Sequence, residues 1–200
     1  MTLPEHVICS AMLAQFGMRQ RYGWRGVALM IFAGIAPDLD TSAKLLTDQA
    51  FWKLHHALGH NVWAVAGLSA LGAGFGRLFG RMTPTGYVFL WCVASSTAHC
   101  LTDALYWWGI FPFWPVSDIE LKFDLLEYLD LIVLAIWLVG LAALCGRRGT
   151  ATRTGAAVLI TFGLYVALRA ALPEPTGLMK LITGGWIYMP PQGTPVLDWW

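Results

Sequence analysis

The stretch MTPTGYVFLWCVASSTAHCLT, residues 82–102, contains no Asp, Glu, Lys or Arg. An α-helix needs about 20 predominantly apolar residues to cross the hydrocarbon core of a bilayer. This stretch is therefore long enough to cross a membrane once. A second charge-free run, residues 54–76, precedes it, so the centre of the chain predicts two adjacent transmembrane helices.

The composition of the whole chain points the same way. The 200 residues are 57% hydrophobic and only 12% charged, with a formal net charge of +1 and a mean hydropathy of +0.58. Soluble domains carry about 25% charged residues, so the numbers argue against an ordinary cytosolic enzyme and exclude a disordered chain. A net charge this close to zero gives no basic field for nucleic acid, and no nucleic-acid partner is expected.

The fold class predicted from these runs is all-α, an integral membrane helical bundle. We expect about four full spans and one or two shorter helices before them. The predicted spans are residues 54–76, 82–102, 131–146 and 154–168, and the shorter helices lie near 4–18 and 25–37. The bundle would occupy residues 1–172, and a Pro- and Trp-rich extended tail would follow at 173–200.

The distribution of arginine predicts an orientation. Three connections carry arginine and no acidic residue: Arg19, Arg21 and Arg25; Arg77 and Arg81; Arg147, Arg148 and Arg153. The positive-inside rule places such connections in the cytoplasm. The chain would then be a multi-pass protein of the inner (plasma) membrane, with its acidic connections, 38–53 and 109–130, on the extracytoplasmic side.

His99 and Asp103 are the ionisable side chains that most need an explanation. They lie four residues apart at the end of a strongly apolar helix, so both project from one face. Ionisable groups at membrane depth are costly and are mostly functional. Two interpretations are open: a buried His–Asp hydrogen bond that joins helices, or a pair of metal ligands.

Further metal donors fall on the same predicted side of the membrane. Pro37 should end a helix at Ala36, which leaves Asp38 and Asp40 in the loop that follows. A D-x-D loop is weak evidence taken alone, but three histidines crowd residues 55–60. The full set of predicted metal ligands is His6, Asp38, Asp40, His55, His60, His99 and Asp103.

Imidazole and carboxylate donors without thiolate suit zinc first, and manganese or iron also fit. So many donors exceed the needs of one ion and would serve one to three. Asp38, Asp40 and His55 are the predicted catalytic residues of a hydrolase that uses a metal-activated water. Two rival functions remain open: a metal-binding or transport protein, and a regulatory partner-binding protein that holds metal without turnover.

The order of these motifs resembles the YdjM-type family, described as LexA-binding, inner-membrane, metal-dependent hydrolases. The family's P-D-x-D is matched at Pro37–Asp40, and its H-x-x-x-D followed by a G-x-x-x-x-W-P motif at His99, Asp103 and 109–117. Its H-R-G-x-T-H-S is matched only in part by HHALGHN, residues 55–61. The resemblance covers roughly residues 1–135.

The resemblance carries its own expectations about function. The family is distantly similar to zinc-dependent phospholipase C, which implies phosphoester hydrolysis, with a phospholipid as one candidate substrate, by analogy. A later ligand of those enzymes would correspond to Glu127 or Asp130. A LexA-type partner is implied by the family description alone.

Overall fold

The fold is described by a computed structural model that covers residues 2–45, 54–106, 108–127, 130–146 and 151–172. Within these residues the chain forms six α-helices and no β-strand, which confirms the all-α prediction. The helices are α1 (Leu3–Leu13), α2 (Met18–Ile35), α3 (Val62–Leu78), α4 (Thr85–Asp103), α5 (Leu131–Gly146) and α6 (Ala151–Ala171). The predicted tail at 173–200 lies outside the described residues.

The two N-terminal helices are separated by a short 3₁₀ turn, Ala14–Phe16. Thr2 begins α1 with a capping box, in which its backbone N–H and its hydroxyl both donate to Glu5 Oε2 at 2.8 Å. The second helix is longer than the predicted 25–37, because it begins at Met18 and continues through a break at Gly23, where φ is +60°. Glycine tolerates this left-handed backbone without a steric penalty.

The third helix begins later than the charge-free run predicts. Its N-cap is Asn61, whose Oδ1 accepts from the backbone N–H of Ala64 at 2.8 Å. Residues 55–60, which the sequence assigns to a span, instead form turns and bends ahead of α3. The histidine side chains of this segment therefore do not take helical positions, and they can reach the aspartates and histidines of the adjacent segments.

The helices pack around two apolar clusters. Met12 of α1 lies with Trp137 and Phe162 between α1, α5 and α6, and Met30 and Val88 centre the cluster between α2 and α4. Glycine lets α3 approach closely, since a Cβ on Gly76 would lie 2.9 Å from Leu29 Cδ2. A small residue is needed at such a helix crossing.

Large apolar side chains remain exposed around the bundle, including Leu71 and Leu78 of α3, Val139 of α5 and Ile160 of α6. Exposed apolar surface of this extent is unusual for a soluble monomer. By length and hydropathy, however, only α6 (Ala151–Ala171) is long and apolar enough to cross a membrane among the described residues. The apolar helices Val62–Leu78 and Leu131–Cys145 are shorter, so the structure does not confirm four spans.

The first four helices alternate in direction, so alternate connections collect at opposite ends. At one end Tyr22 of α2 donates its hydroxyl to the carbonyl of Thr83, 2.7 Å away, and the Arg21 guanidinium lies 5.1 Å from the Tyr87 ring centre. At the other end the N-termini of α1 and α3 meet the C-termini of α2 and α4. The histidines and aspartates gather there.

Candidate metal centre

The last turns of α4 supply two side chains of the centre. His99 and Asp103 project from one face as predicted, with His99 Nε2 3.3 Å from Asp103 Oδ2. Two serines one to two turns earlier hold α4 against α2. Ser96 donates to the carbonyl of Ala33 at 2.7 Å, and Ser95 donates to that of Met30 at 2.8 Å. These hydrogen bonds fix the position of the ligand pair.

The segment after α2 supplies two carboxylates. The helix ends at Ile35, one residue before the predicted boundary, and a 3₁₀ segment, Ala36–Leu45, carries Asp38 and Asp40 towards α4. The turns at residues 55–60 carry three histidines, and we call them the histidine turn. Its Gly59 packs directly on this segment, since the Gly59 N–H donates to Asp40 Oδ2 at 3.1 Å. A Cβ on Gly59 would lie 1.9 Å from the carbonyl oxygen of Pro37. Only glycine permits this approach.

His60 occupies the middle of the centre and is fully buried, with 1% of its surface exposed. Its Nε2 lies 3.0 Å from His99 Nε2 and 3.2 Å from Asp103 Oδ2. The same atom lies 3.8 Å from Asp38 Oδ1, and His99 Nε2 lies 3.5 Å from that oxygen. On the other edge of the ring, His60 Nδ1 lies 3.2 Å from Asp40 Oδ2.

Asp38, His60, His99 and Asp103 form a group that could hold one metal ion, and we call it the inner group. One donor atom from each lies within 4.8 Å of the other three. A tetrahedral ion with bonds of 2.0–2.1 Å requires donors about 3.3–3.4 Å apart. The five distances given above for this group run from 3.0 to 3.8 Å and bracket that value. Two imidazole nitrogens and two carboxylate oxygens thus fit a tetrahedral site.

A second set of donors adjoins the first. Asp38, Asp40 and His55 also offer three donor atoms within 4.8 Å of one another, and we call them the outer group. His55 Nδ1 lies 2.9 Å from Asp40 Oδ1. Asp38 belongs to both groups, which is the arrangement expected of a carboxylate shared by two neighbouring ions.

The remaining predicted ligand, His6, belongs to neither group. Its ring stacks on His99 with 3.6 Å between ring centres. His6 Nε2 lies 3.2 Å from Asp103 Oδ1, yet neither ring nitrogen forms a hydrogen bond of good geometry with a described residue. His6 is therefore placed to orient His99 and Asp103 from the side of α1.

Comparison with known proteins bears on this arrangement. The family model described as YdjM inner membrane protein matches residues 1–174. The chain belongs to the YdjM family. The resemblance predicted from the motifs is thereby confirmed, and the match extends well beyond the predicted limit near residue 135. The family description also supports a location in the inner membrane. Neither the curated proteins nor the solved structures include a match.

The loop at 109–117, which carries the YdjM-type motif, contacts the histidine turn at Gly109. Gly109 adopts φ of +62°, and its carbonyl accepts a hydrogen bond from Nδ1 of the buried His56 at 2.7 Å. The His56 ring also stacks on His60, with centres 4.7 Å apart. The sequence gives no role to His56, and the structure makes it a brace between this loop and the metal donors.

The later acidic ligand implied by the resemblance is not found at Asp130. Asp130 Oδ1 accepts from the backbone N–H groups of Ile132 and Val133, and Oδ2 accepts from the Tyr165 hydroxyl at 2.7 Å. These contacts cap α5 and join it to α6. Neither Asp130 nor Glu127 belongs to the inner or the outer group.

The carboxylates favour positive charge within the centre. Burial alone would raise the pKa of the Asp40 carboxyl, but hydrogen bonds from His55 and His60 outweigh burial and hold that pKa well below its usual range. Burial likewise opposes charge on His60, but its contacts with Asp103 and Asp40 raise the pKa of His60 to about 9. A divalent cation would satisfy the same carboxylates and displace that proton.

Proposed function

We propose that this YdjM-family protein is a membrane-embedded, metal-dependent hydrolase of phosphoesters. The observation that carries the proposal is the tetrahedral spacing of the inner group, with Asp38 shared by a second set of donors beside it. A paired site of imidazole and carboxylate ligands is characteristic of hydrolytic centres that act on phosphoesters. Zinc suits this donor set best, and manganese and iron are the alternatives.

The exposed fractions of the side chains indicate where a substrate would enter. The side chains of His60, His99 and Asp103 are at most 2% exposed, whereas Asp38 and His55 are 20% and 21% exposed. A phosphoester would therefore approach past Asp38 and His55. Metal ions bound here would polarise the phosphoryl group and lower the pKa of a water molecule.

The chain's own residues would hold and orient this site. Asp40 fixes the ring of His55 through Nδ1, which directs the other edge of the ring away from Asp40. In the proposed hydrolase Asp38, Asp40 and His55 are the residues closest to the reacting groups. His60, His99 and Asp103 hold the buried side of the inner group.

Hydrolysis can be tested directly with a small substrate. Detergent-purified protein loaded with zinc or manganese should cleave bis(p-nitrophenyl) phosphate, and a chelator should abolish the release of p-nitrophenol. The Asp103→Asn variant, purified in parallel, should lose at least about a hundredfold in kcat/KM, since it removes a metal ligand. Metal-loaded wild type that cleaves no phosphoester, or a variant as active as wild type, would contradict the proposal.

A structural metal site is the second candidate, and one observation favours it. The inner group offers four ligands, three of them almost completely buried, as in closed structural zinc sites. A protein with this function would retain one tightly held ion and remain stable, but it would not turn over. Transport is less favoured, because the donors lie at one end of the bundle, whereas a transport path needs polar groups through both halves of the membrane.

We also propose that α3, α4, α5 and α6 cross the membrane and that the centre faces the extracytoplasmic side. Their 16 to 21 residues give helices of about 24–32 Å, close to the thickness of the hydrocarbon core. The donors lie at the end opposite to the contact of Tyr22 with Thr83, which adjoins the arginine-rich connections.

This orientation predicts the position of residue 148. Alkaline phosphatase, which is active only outside the cytoplasm, should be inactive when fused after Arg148, because that arginine-rich connection is cytoplasmic under the positive-inside rule. A fusion after Asp118 should be active. The opposite result for the two fusions would reverse the orientation and place the metal centre on the cytoplasmic side.

A further inference from the structure

A cavity of about 730 Å³ opens beside the metal centre. Its volume lies in the range of small-molecule sites. Three elements line it: the 3₁₀ segment after α2, the histidine turn and the first half of α3. The residues that carry the argument are Pro37, Asp40, Leu58, Gly59, Gly67 and Leu71.

The wall contributed by α3 is an apolar stripe, which none of the other described helices covers. Ala64, Gly67, Leu68 and Leu71 all line the cavity and recur at the i, i+3, i+4, i+7 spacing of one helix face. Gly67 is exposed, and a Cβ placed on it would meet no atom within 4 Å. No described helix packs on this stripe, which runs for about 10 Å along α3.

One end of the cavity is polar and belongs to the metal centre. Among the described residues of its lining, Asp40 alone is charged, and its carboxylate contacts His55 and His60. Gly59 lies in the wall at the same end, pressed on Pro37. The cavity therefore joins a site for divalent cations to an apolar groove, and this combination fits an anionic oxygen attached to a hydrocarbon chain.

We propose that the groove binds one acyl chain of a bilayer phospholipid and so places the lipid phosphate at the metal centre. The chain belongs to an inner-membrane family, so the exposed face of α3, which we propose crosses the membrane, would contact such lipids. The exposed Leu71 continues the groove towards them. This inference rests on the proposed function, because it names the substrate class of the same site. Gly67 keeps the groove open.

The experiment measures binding, so it does not depend on turnover. Zinc-loaded protein in one fixed detergent is titrated calorimetrically with alkyl phosphonates, which cannot be hydrolysed, from ethyl to dodecyl. Burial of each methylene should tighten Kd, expressed for the ligand free in water after its measured partition into micelles, about fourfold until the groove is full. Gly67→Phe should fill the groove and weaken the binding of dodecyl phosphonate at least about tenfold. Its affinity for ethyl phosphonate should not change.

The matched control is Gly163→Phe on α6, where a Cβ would likewise meet nothing within 4 Å. Because both variants and the wild type share one detergent, partition of the ligand into micelles affects them equally. The control should bind dodecyl phosphonate like the wild type. The groove proposal would be contradicted if Gly67→Phe and Gly163→Phe bound dodecyl phosphonate with equal affinity. It would also be contradicted if the affinity of the wild type did not depend on chain length.

The proposed groove and the proposed reaction fail in different ways. The protein could cleave no phosphoester and yet bind phosphonates according to chain length, with Gly67→Phe abolishing that dependence. This result would support the groove and contradict the hydrolase. The protein could instead cleave bis(p-nitrophenyl) phosphate and bind dodecyl phosphonate equally well with and without Gly67→Phe. This result would support the hydrolase and contradict the groove.

Discussion

His99→Ala should lower the affinity of the protein for zinc by at least about a hundredfold, since loss of a partner one shell further out already costs 10- to 100-fold. His99 Nε2 lies within 3.5 Å of three other donors of the inner group: Asp103 on α4 itself, and His60 and Asp38 on the two segments beside it. His60 is the one other described histidine of this group. Competition with a chelating dye of known zinc affinity measures the effect on purified protein.

A buried histidine that is not a ligand gives the control for this variant. His56 is as inaccessible as His99, but its Nδ1 bonds the carbonyl of Gly109 and it belongs to neither metal group. His56→Ala should lower Tm, because it removes a hydrogen bond and leaves a cavity, but it should lose much less zinc affinity than His99→Ala, since its ring only packs on the ligand His60. Equal zinc affinity in the wild type and His99→Ala would remove His99 from the centre.

The second large effect is expected at Asp38. If the inner and outer groups each hold an ion, Asp38→Asn should reduce the metal content from about two ions per chain towards none, because the shared carboxylate loses its charge. His55→Ala should reduce it only to about one, since His55 belongs to the outer group alone. Elemental analysis of protein prepared without chelators distinguishes the two variants.

Asp118→Asn is the matched control for the change of charge. Asp118 is exposed and lies in neither group, so its variant should hold the same metal as the wild type. If Asp38→Asn and His55→Ala each lost one ion, Asp38 would not be shared. If Asp38→Asn lost none, neither group would describe the site.

Much of the centre could be predicted from spacing along the chain. The four-residue step from His99 to Asp103 fixes both side chains on one helix face before any contact with other elements is known. Pro37 predicts the end of the preceding helix, and α2 does end within one residue of that point. The convergence of helix ends followed from the alternating distribution of arginine and acidic residues.

Other features required the folded chain. The predicted start of α3 at residue 54 was wrong, because the apolar run does not reveal that Asn61 caps the helix. The cap leaves the histidines in turns. The sequence predicts separate helices near 4–18 and 25–37, whereas α2 begins at Met18 and continues through the break at Gly23. A lone glycine within a helical pattern has several explanations, so the sequence does not predict this continuation. His6 stands apart from both groups because its ring packs on His99, a contact between helices 93 positions apart in sequence.

The central claim is that His60, His99, Asp38 and Asp103 bind one metal ion. X-ray absorption at the zinc edge of the zinc-loaded protein measures its ligands most directly. We predict nitrogen and oxygen neighbours at about 2.0–2.1 Å, with outer-shell scattering from two imidazole rings that falls in His99→Ala. Sulfur neighbours at about 2.3 Å, as from the adjacent Cys100, or a spectrum without imidazole scattering, would contradict it.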